Sequence, residues 1–148
     1  MNRAQRKERI EALVPTFRAA KASAAYFHVV CLANPTLVEG KGFRIRYIRD
    51  CCSELEDTYL IRAFAEFEVT LRDFWENGRG RATRPEAKSM IASLTSHLRV
   101  RPDDLDNVHA VREYRNALIH GGVLPAKVTL PAAQKYLCLF VSRLPKDW

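Results

Sequence analysis

Glycine is scarce in this chain, with 6 residues in 148, so long stretches run without the residue that, after proline, most readily interrupts a helix. Apolar–polar alternation over strand lengths is nearly missing, which leaves little sign of a sheet. No apolar run approaches the roughly 20 residues needed to span a bilayer, and no membrane partner is expected. The charged first ten residues are not followed by the apolar stretch and small-residue cleavage site of a secretory signal. A cytoplasmic location is the expected default. The four cysteines, Cys31, Cys51, Cys52 and Cys138, show no Cys-x-x-Cys spacing, and no His pair joins them in a zinc pattern. Neither a structural metal, a disulfide nor a cofactor is expected. Cys31 and Cys138 sit in apolar stretches and read as core residues.

What is present is basic and helical. The net charge of +7 is unevenly placed: residues 1–49 hold ten Lys/Arg against three Asp/Glu, and residues 50–148 hold fourteen of each. The whole excess thus lies in the first third, through Arg3, Arg6, Lys7, Arg9, Arg18, Lys21, Lys41, Arg44, Arg46 and Arg49. Such asymmetry suits a polyanionic partner such as nucleic acid, and equally a solvated basic helix face. Pro and Gly divide the rest into helical blocks. The segments 3–14 and 16–33 flank Pro15, and Asn34-Pro35 ends the second. Phe43–Arg49 alternates briefly and is read as a connection or the start of a helix. Residues 51–77 form the longest helix candidate, with Leu55, Tyr59, Leu60, Ala63, Phe64, Phe67, Leu71, Phe74 and Trp75 recurring at three- and four-residue steps. Asn77-Gly78 supplies its stop, and Gly78–Arg84 reads as a basic loop. Further helices are predicted from Pro85 to Leu98, from Pro102 to Leu118 and the Gly121-Gly122 pair, and over about 130–144. The fold class is all-α: one domain over 1–148, a bundle of about five helices, with a basic first third and a core from about 50 to 145.

The densest chemistry lies in Val111-Arg-Glu-Tyr-Arg-Asn-Ala-Leu-Ile-His-Gly-Gly122. Arg115 carries a permanent charge on a planar fork that matches phosphate, and His120 belongs to the residue type that moves protons near neutral pH. Asn116 adds an amide between them. Arg112, Asn116 and His120 share a helix face at four-residue steps, whereas Arg115 and His120 are about 140° apart by the helical period. Arginine reach, fraying at the glycines or a symmetric partner must therefore bring Arg115 and His120 together. Arg115, Asn116 and His120 are the candidate catalytic residues. Arg112 is a candidate second phosphate contact, or else one half of a surface ion pair. On the long helix Glu66 or Glu68 is either placed to orient Arg115 or a solvated helix charge, and Arg62 has the same two readings; Glu66 and Arg62 join Arg112 as the candidate substrate-binding set.

In an all-helical frame, Arg115-Asn116-Ala-Leu-Ile-His120 resembles the Arg-x(4–6)-His motif of the HEPN superfamily, with Asn116 in the polar slot after the arginine. Tyr59-Leu-Ile-Arg-Ala-Phe-Ala-Glu-Phe-Glu68 is similar to the long helix that packs beside that motif, and the order of elements agrees over roughly residues 50–145. The resemblance implies a small helical bundle with metal-independent endoribonuclease activity. It also implies a homodimer that joins two Arg/His motifs in one cleft, in a toxin–antitoxin, abortive-infection or other phage-defence setting with an antitoxin or defence partner. Gly122 stands where HEPN toxins paired with nucleotidyltransferase antitoxins tend to carry tyrosine, so control by tyrosine adenylylation is not implied. The alternatives are a noncatalytic RNA- or nucleotide-binding module of the same superfamily, and a plain helical interaction protein.

Overall fold

The computed structural model describes residues 2–80, 83 and 85–148, and these form an all-α bundle without strands. Helix α1 (Arg3–Glu11) and helix α2 (Leu13–Ala33) are separated by Ala12 alone and act as one bent rod. With α3 (Ile45–Asp73), α4 (Ala87–Leu98), α5 (Pro102–His120) and α6 (Leu130–Val141), that rod makes a bundle of five among the described residues. The bend has a local cause. Pro15 has no N–H to give the carbonyl of Glu11, four residues earlier. That carbonyl accepts instead from Gln134 Nε2 of α6 at 2.8 Å, so the break in α1–α2 is used to pin α6.

Helix α3 is the central element and packs against α1, α2, α4, α5 and α6. Its stripe Leu60, Ala63, Phe64, Phe67 and Leu71 is buried, as three- and four-residue spacing requires of a core-facing helix. Phe67 is the hub of an aromatic group, with ring centroids 5.7 Å from Phe64 and 5.6 Å from Phe140 of α6. Such ring pairs add about 0.5–1.5 kcal/mol each beyond the area they bury. The start of α6 is held electrostatically as well. The Leu130 N–H donates to Glu56 Oε1 of α3 at 3.0 Å, putting a carboxylate at the positive end of the helix dipole. Cys31 and Cys138 are buried, as their apolar settings suggest.

Helix α3 begins at Ile45, earlier than the periodic stripe suggests. The alternation over 43–49 resembles a strand locally, but packing of α3 along α2 overrides it. Between residues 18 and 59 of this α2–α3 hairpin only Cys31 and Ile48 are buried, so its far half stands clear of the core. At its other end α3 runs into a π-turn over Phe74–Gly78, closed by Arg79 N–H to the Phe74 carbonyl at 3.1 Å. Gly78 is needed there for space: a Cβ would lie 2.5 Å from the Phe74 ring and 2.9 Å from Trp148 Cβ. The basic loop expected over Gly78–Arg84 is described only at 78–80 and 83; residues 81, 82 and 84 lie outside the described residues. Helix α4 starts at Ala87, two residues beyond Pro85, where its buried stripe of Ala87, Met90, Ile91 and Leu94 begins.

The basic first third splits into two populations. On α1 the charges serve the fold: Arg3 donates to the carbonyls of Ser142 and Leu144, Arg6 pairs with Asp73, Lys7 with Glu11 and Arg9 with Glu66. The remaining six lie on the α2–α3 hairpin and its tip.

Candidate active site

Helix α5 is positioned by what it buries. Pro102 opens it, Asp103 and Asp104 occupy its first turn, and Val108, Val111 and Tyr114 face the core. Tyr114 fixes the rotation of the helix by donating its hydroxyl to Asp57 Oδ1 of α3 at 3.2 Å. Burial first, and then the charge of Asp57, raise the Tyr114 pKa above its ordinary 10.0, so the group stays a hydrogen-bond donor. With that side turned inward, Arg112, Arg115, Asn116 and His120 all line one open cleft of about 270 Å³. Helix α3 contributes Phe64, Glu68 and Arg72 to its walls, and the start of α4 contributes Glu86, Ala87 and Lys88.

Arg115 is the most constrained of these. Its guanidinium lies 5.5 Å from the centroid of the Phe64 ring, donates from Nη1 to Asn116 Oδ1 at 2.9 Å, and reaches Glu68 Oε2 from Nη2 at 3.6 Å. An aromatic face below and a carboxylate beside it hold the planar fork in one orientation. Arg115 and His120 thus line the same cleft despite their offset of about 140°, with His120 exposed at the helix end. Arg112 pairs loosely with its neighbour Glu113 at 3.6 Å and also lines the cleft. The Nε atoms of Arg112 and Arg115 are buried and have no acceptor among the described residues. Four permanent cations (Arg72, Lys88, Arg112, Arg115) face two carboxylates (Glu68, Glu86) across the cleft. With α4 beginning at Ala87, its positive dipole end adds to that field. This combination suits a singly or doubly charged anion and offers His120 for proton transfer.

Two members of the sequence-derived set lie elsewhere. Glu66 points to α1 and pairs with Arg9 at 3.5 Å, and Arg62 is exposed and does not line the cleft. Helical phase accounts for both, since each is two residues, or about 200°, from Phe64. Stepping by four along the same face gives Phe64, Glu68 and Arg72, so phase singles out Glu68 as the partner of Arg115. Arg72 was recoverable by the same count. Lys88 was not, because only tertiary packing brings the start of α4 to this cleft. His109 lines a neighbouring hollow with Asp106 and Glu113. Among the described residues no three His, Cys, Asp or Glu side chains converge in a way that would hold a metal ion, and no helix is long and apolar enough to cross a membrane. Comparison with known family models, curated proteins and solved structures finds no match for this chain.

Proposed function

We propose that this chain is a HEPN-type, metal-independent endoribonuclease that works as a homodimer in a toxin–antitoxin or phage-defence setting. One observation carries the reading: Arg112, Arg115, Asn116 and His120 line a single cation-rich cleft, with Glu68 and Phe64 fixing the Arg115 fork. RNA suits these groups because its 2′-hydroxyl is an internal nucleophile that a histidine can activate without a metal. In the proposed reaction His120 removes the ribose 2′-OH proton, the 2′-oxygen attacks phosphorus, and the bond to the 5′-oxygen breaks. The leaving 5′-oxygen takes a proton from the partner's copy of the same histidine. Products are a 2′,3′-cyclic phosphate and a 5′-hydroxyl. Arg115 and Arg112 neutralise charge that accumulates on the phosphorane.

The dimer is supported by apolar exposure beside the motif. Ile119, Val123 and Leu124 flank His120 on both sides and are all exposed, Val123 to 96%. A two-fold contact pairs a patch with itself, and burying these side chains would bring the two His120 copies close without crowding the arginines.

Purified protein should cut RNA in EDTA and leave cyclic phosphate ends, and His120→Ala or Arg115→Ala should lower the rate by about a hundredfold or more. Val123→Glu should convert the dimer to monomer by light scattering and abolish cleavage. Undiminished cleavage by His120→Ala removes the assignment, and a fully active monomer removes the composite site.

A further inference from the structure

The cleft leaves the α2–α3 hairpin unused. On α2 the residues Ala22, Ala25, Tyr26, Val29, Leu32 and Ala33 are exposed and recur at three- and four-residue steps, which places them on one face. The three largest are exposed to 73% (Tyr26), 63% (Val29) and 59% (Leu32). The opposite face of α2, around Cys31, packs on α3. The outer stripe therefore has helix-pairing periodicity and no helix against it among the described residues. Leu37, Phe43 and Tyr47 add exposed apolar groups at the hairpin tip.

Charge selects what fits there. From residue 16 to residue 49 the chain carries Arg18, Lys21, Lys41, Arg44, Arg46 and Arg49 against Glu39 alone. Arg49 is paired with Asp50, and Arg46 lies over the Tyr47 ring at 4.8 Å. Among the described residues no ion pair engages Arg18, Lys41 or Arg44. A second copy would set this cationic surface against itself. RNA would use the cations and the rings of Tyr26, Phe43 and Tyr47, but would leave the aliphatic Ala22, Val29 and Leu32 that complete the stripe without a stacking face or a donor to engage. A protein helix with an apolar stripe bordered by carboxylates satisfies both features.

We infer that the outer face of α2 and the basic hairpin tip form a docking site for an acidic amphipathic helix of a partner protein. The site is separate from the RNA cleft, so its occupant can act on the enzyme without competing for substrate. Full-length protein is titrated with a fluorescent helix-forming peptide of about 20 residues, leucine at three- and four-residue steps and glutamate on both flanks. The same peptide with lysine for glutamate, and a single-stranded RNA of similar length, serve as comparisons. The glutamate peptide should bind at least about tenfold more tightly than the lysine peptide. Val29→Glu with Leu32→Glu should weaken it about tenfold or more while leaving the melting temperature and RNA cleavage unchanged, since both residues are exposed and outside the cleft. Arg44→Glu with Arg46→Glu should reverse the preference toward the lysine peptide. Failure of either double variant to alter peptide binding overturns the site. Loss of RNA binding in the Val29/Leu32 variant would assign the face to RNA, and dissociation of the dimer in that variant would assign it to a second copy; either overturns the inference. Retained RNA cleavage with lost peptide binding separates this result from the fate of the nuclease reading.

Discussion

Replacing Asp73 by Asn removes one charge from the point where α1, α3 and Trp148 meet. The Asp73 side chain is 14% exposed and accepts from Arg6 Nη2 at 3.0 Å, Arg6 Nε at 3.1 Å, Trp148 Nε1 at 3.1 Å and Asn77 Nδ2 at 2.8 Å. Burial alone would raise its pKa. Hydrogen bonds from Trp148, Arg6 and Asn77, with the charge of Arg6, outweigh burial and hold the carboxyl below its ordinary 3.8. Asparagine keeps the size and one acceptor but leaves Arg6, itself 11% exposed, facing a neutral amide. Hydrogen bonds to a charged group contribute about 1.5–3 kcal/mol each, and partial retention by the amide brings the expected loss to about 2–4 kcal/mol. For a domain of this size that lowers the melting temperature by about 5–15 °C. The pH dependence has a fixed sign. A carboxylate with a depressed folded-state pKa adds stability that is present above its unfolded pKa and lost as pH falls through the folded value. Urea melts of the two proteins should therefore differ by the full amount near pH 7, and the gap should narrow progressively as pH falls below the ordinary 3.8 toward the depressed folded value. A gap that stays constant across that range, or one below about 0.5 kcal/mol at neutral pH, would refute the reasoning.

Glu68→Gln should reduce RNA cleavage by about 10- to 100-fold through misplacement of Arg115, with little change in melting temperature. Glu66→Gln, whose partner Arg9 is half exposed, should stay within about twofold of wild type, and equal losses would refute the placement of Glu68. Gly78→Ala should cost about 1–3 kcal/mol in urea melts, because its Cβ meets the Phe74 ring and the Trp148 Cβ; an unchanged midpoint would contradict the packing. Burial, reinforced by the charge of Glu11 and opposed by that of Lys7, pushes the Cys138 thiol up to about 11. At about pH 8 a thiol reagent should label exposed Cys51 first, and Cys138→Ser should leave that fast phase intact.

The parts of this structure legible in the sequence are those fixed by local chemistry. Pro102 and the Gly121-Gly122 pair bound α5, and the Leu60–Leu71 spacing marks the buried side of α3. The nearness of Arg115, Asn116 and His120 along α5 was legible, whereas the cleft they line also needs Phe64 and Glu68 of α3. Glu68 and Arg72 were within reach once Phe64 was assigned a direction, since the three share one face. Lys88 and the start of α3 were not legible, because both depend on which helix lies alongside. Charge was only partly legible for a related reason. Arg3, Arg6 and Arg9 look like a nucleic-acid surface when counted along the chain, yet their acceptors are carbonyls and carboxylates from positions 66 to 144.

The clasp between α1 and the segment beyond α6 bears on how the protein is made. Arg3 bonds the carbonyls of Ser142 and Leu144, Gln134 holds the free carbonyl of Glu11, and Trp148 shares Asp73 with Arg6. During synthesis α1 leaves the ribosome long before any of those partners exist. Every side chain of the candidate cleft has been polymerised by residue 120, while the frame that holds α3 against its neighbours is still incomplete. Those contacts can close around the cleft only once α6 and the residues after it have emerged. A ribosome stalled between α5 and α6 would carry the whole motif on a chain that has not yet closed.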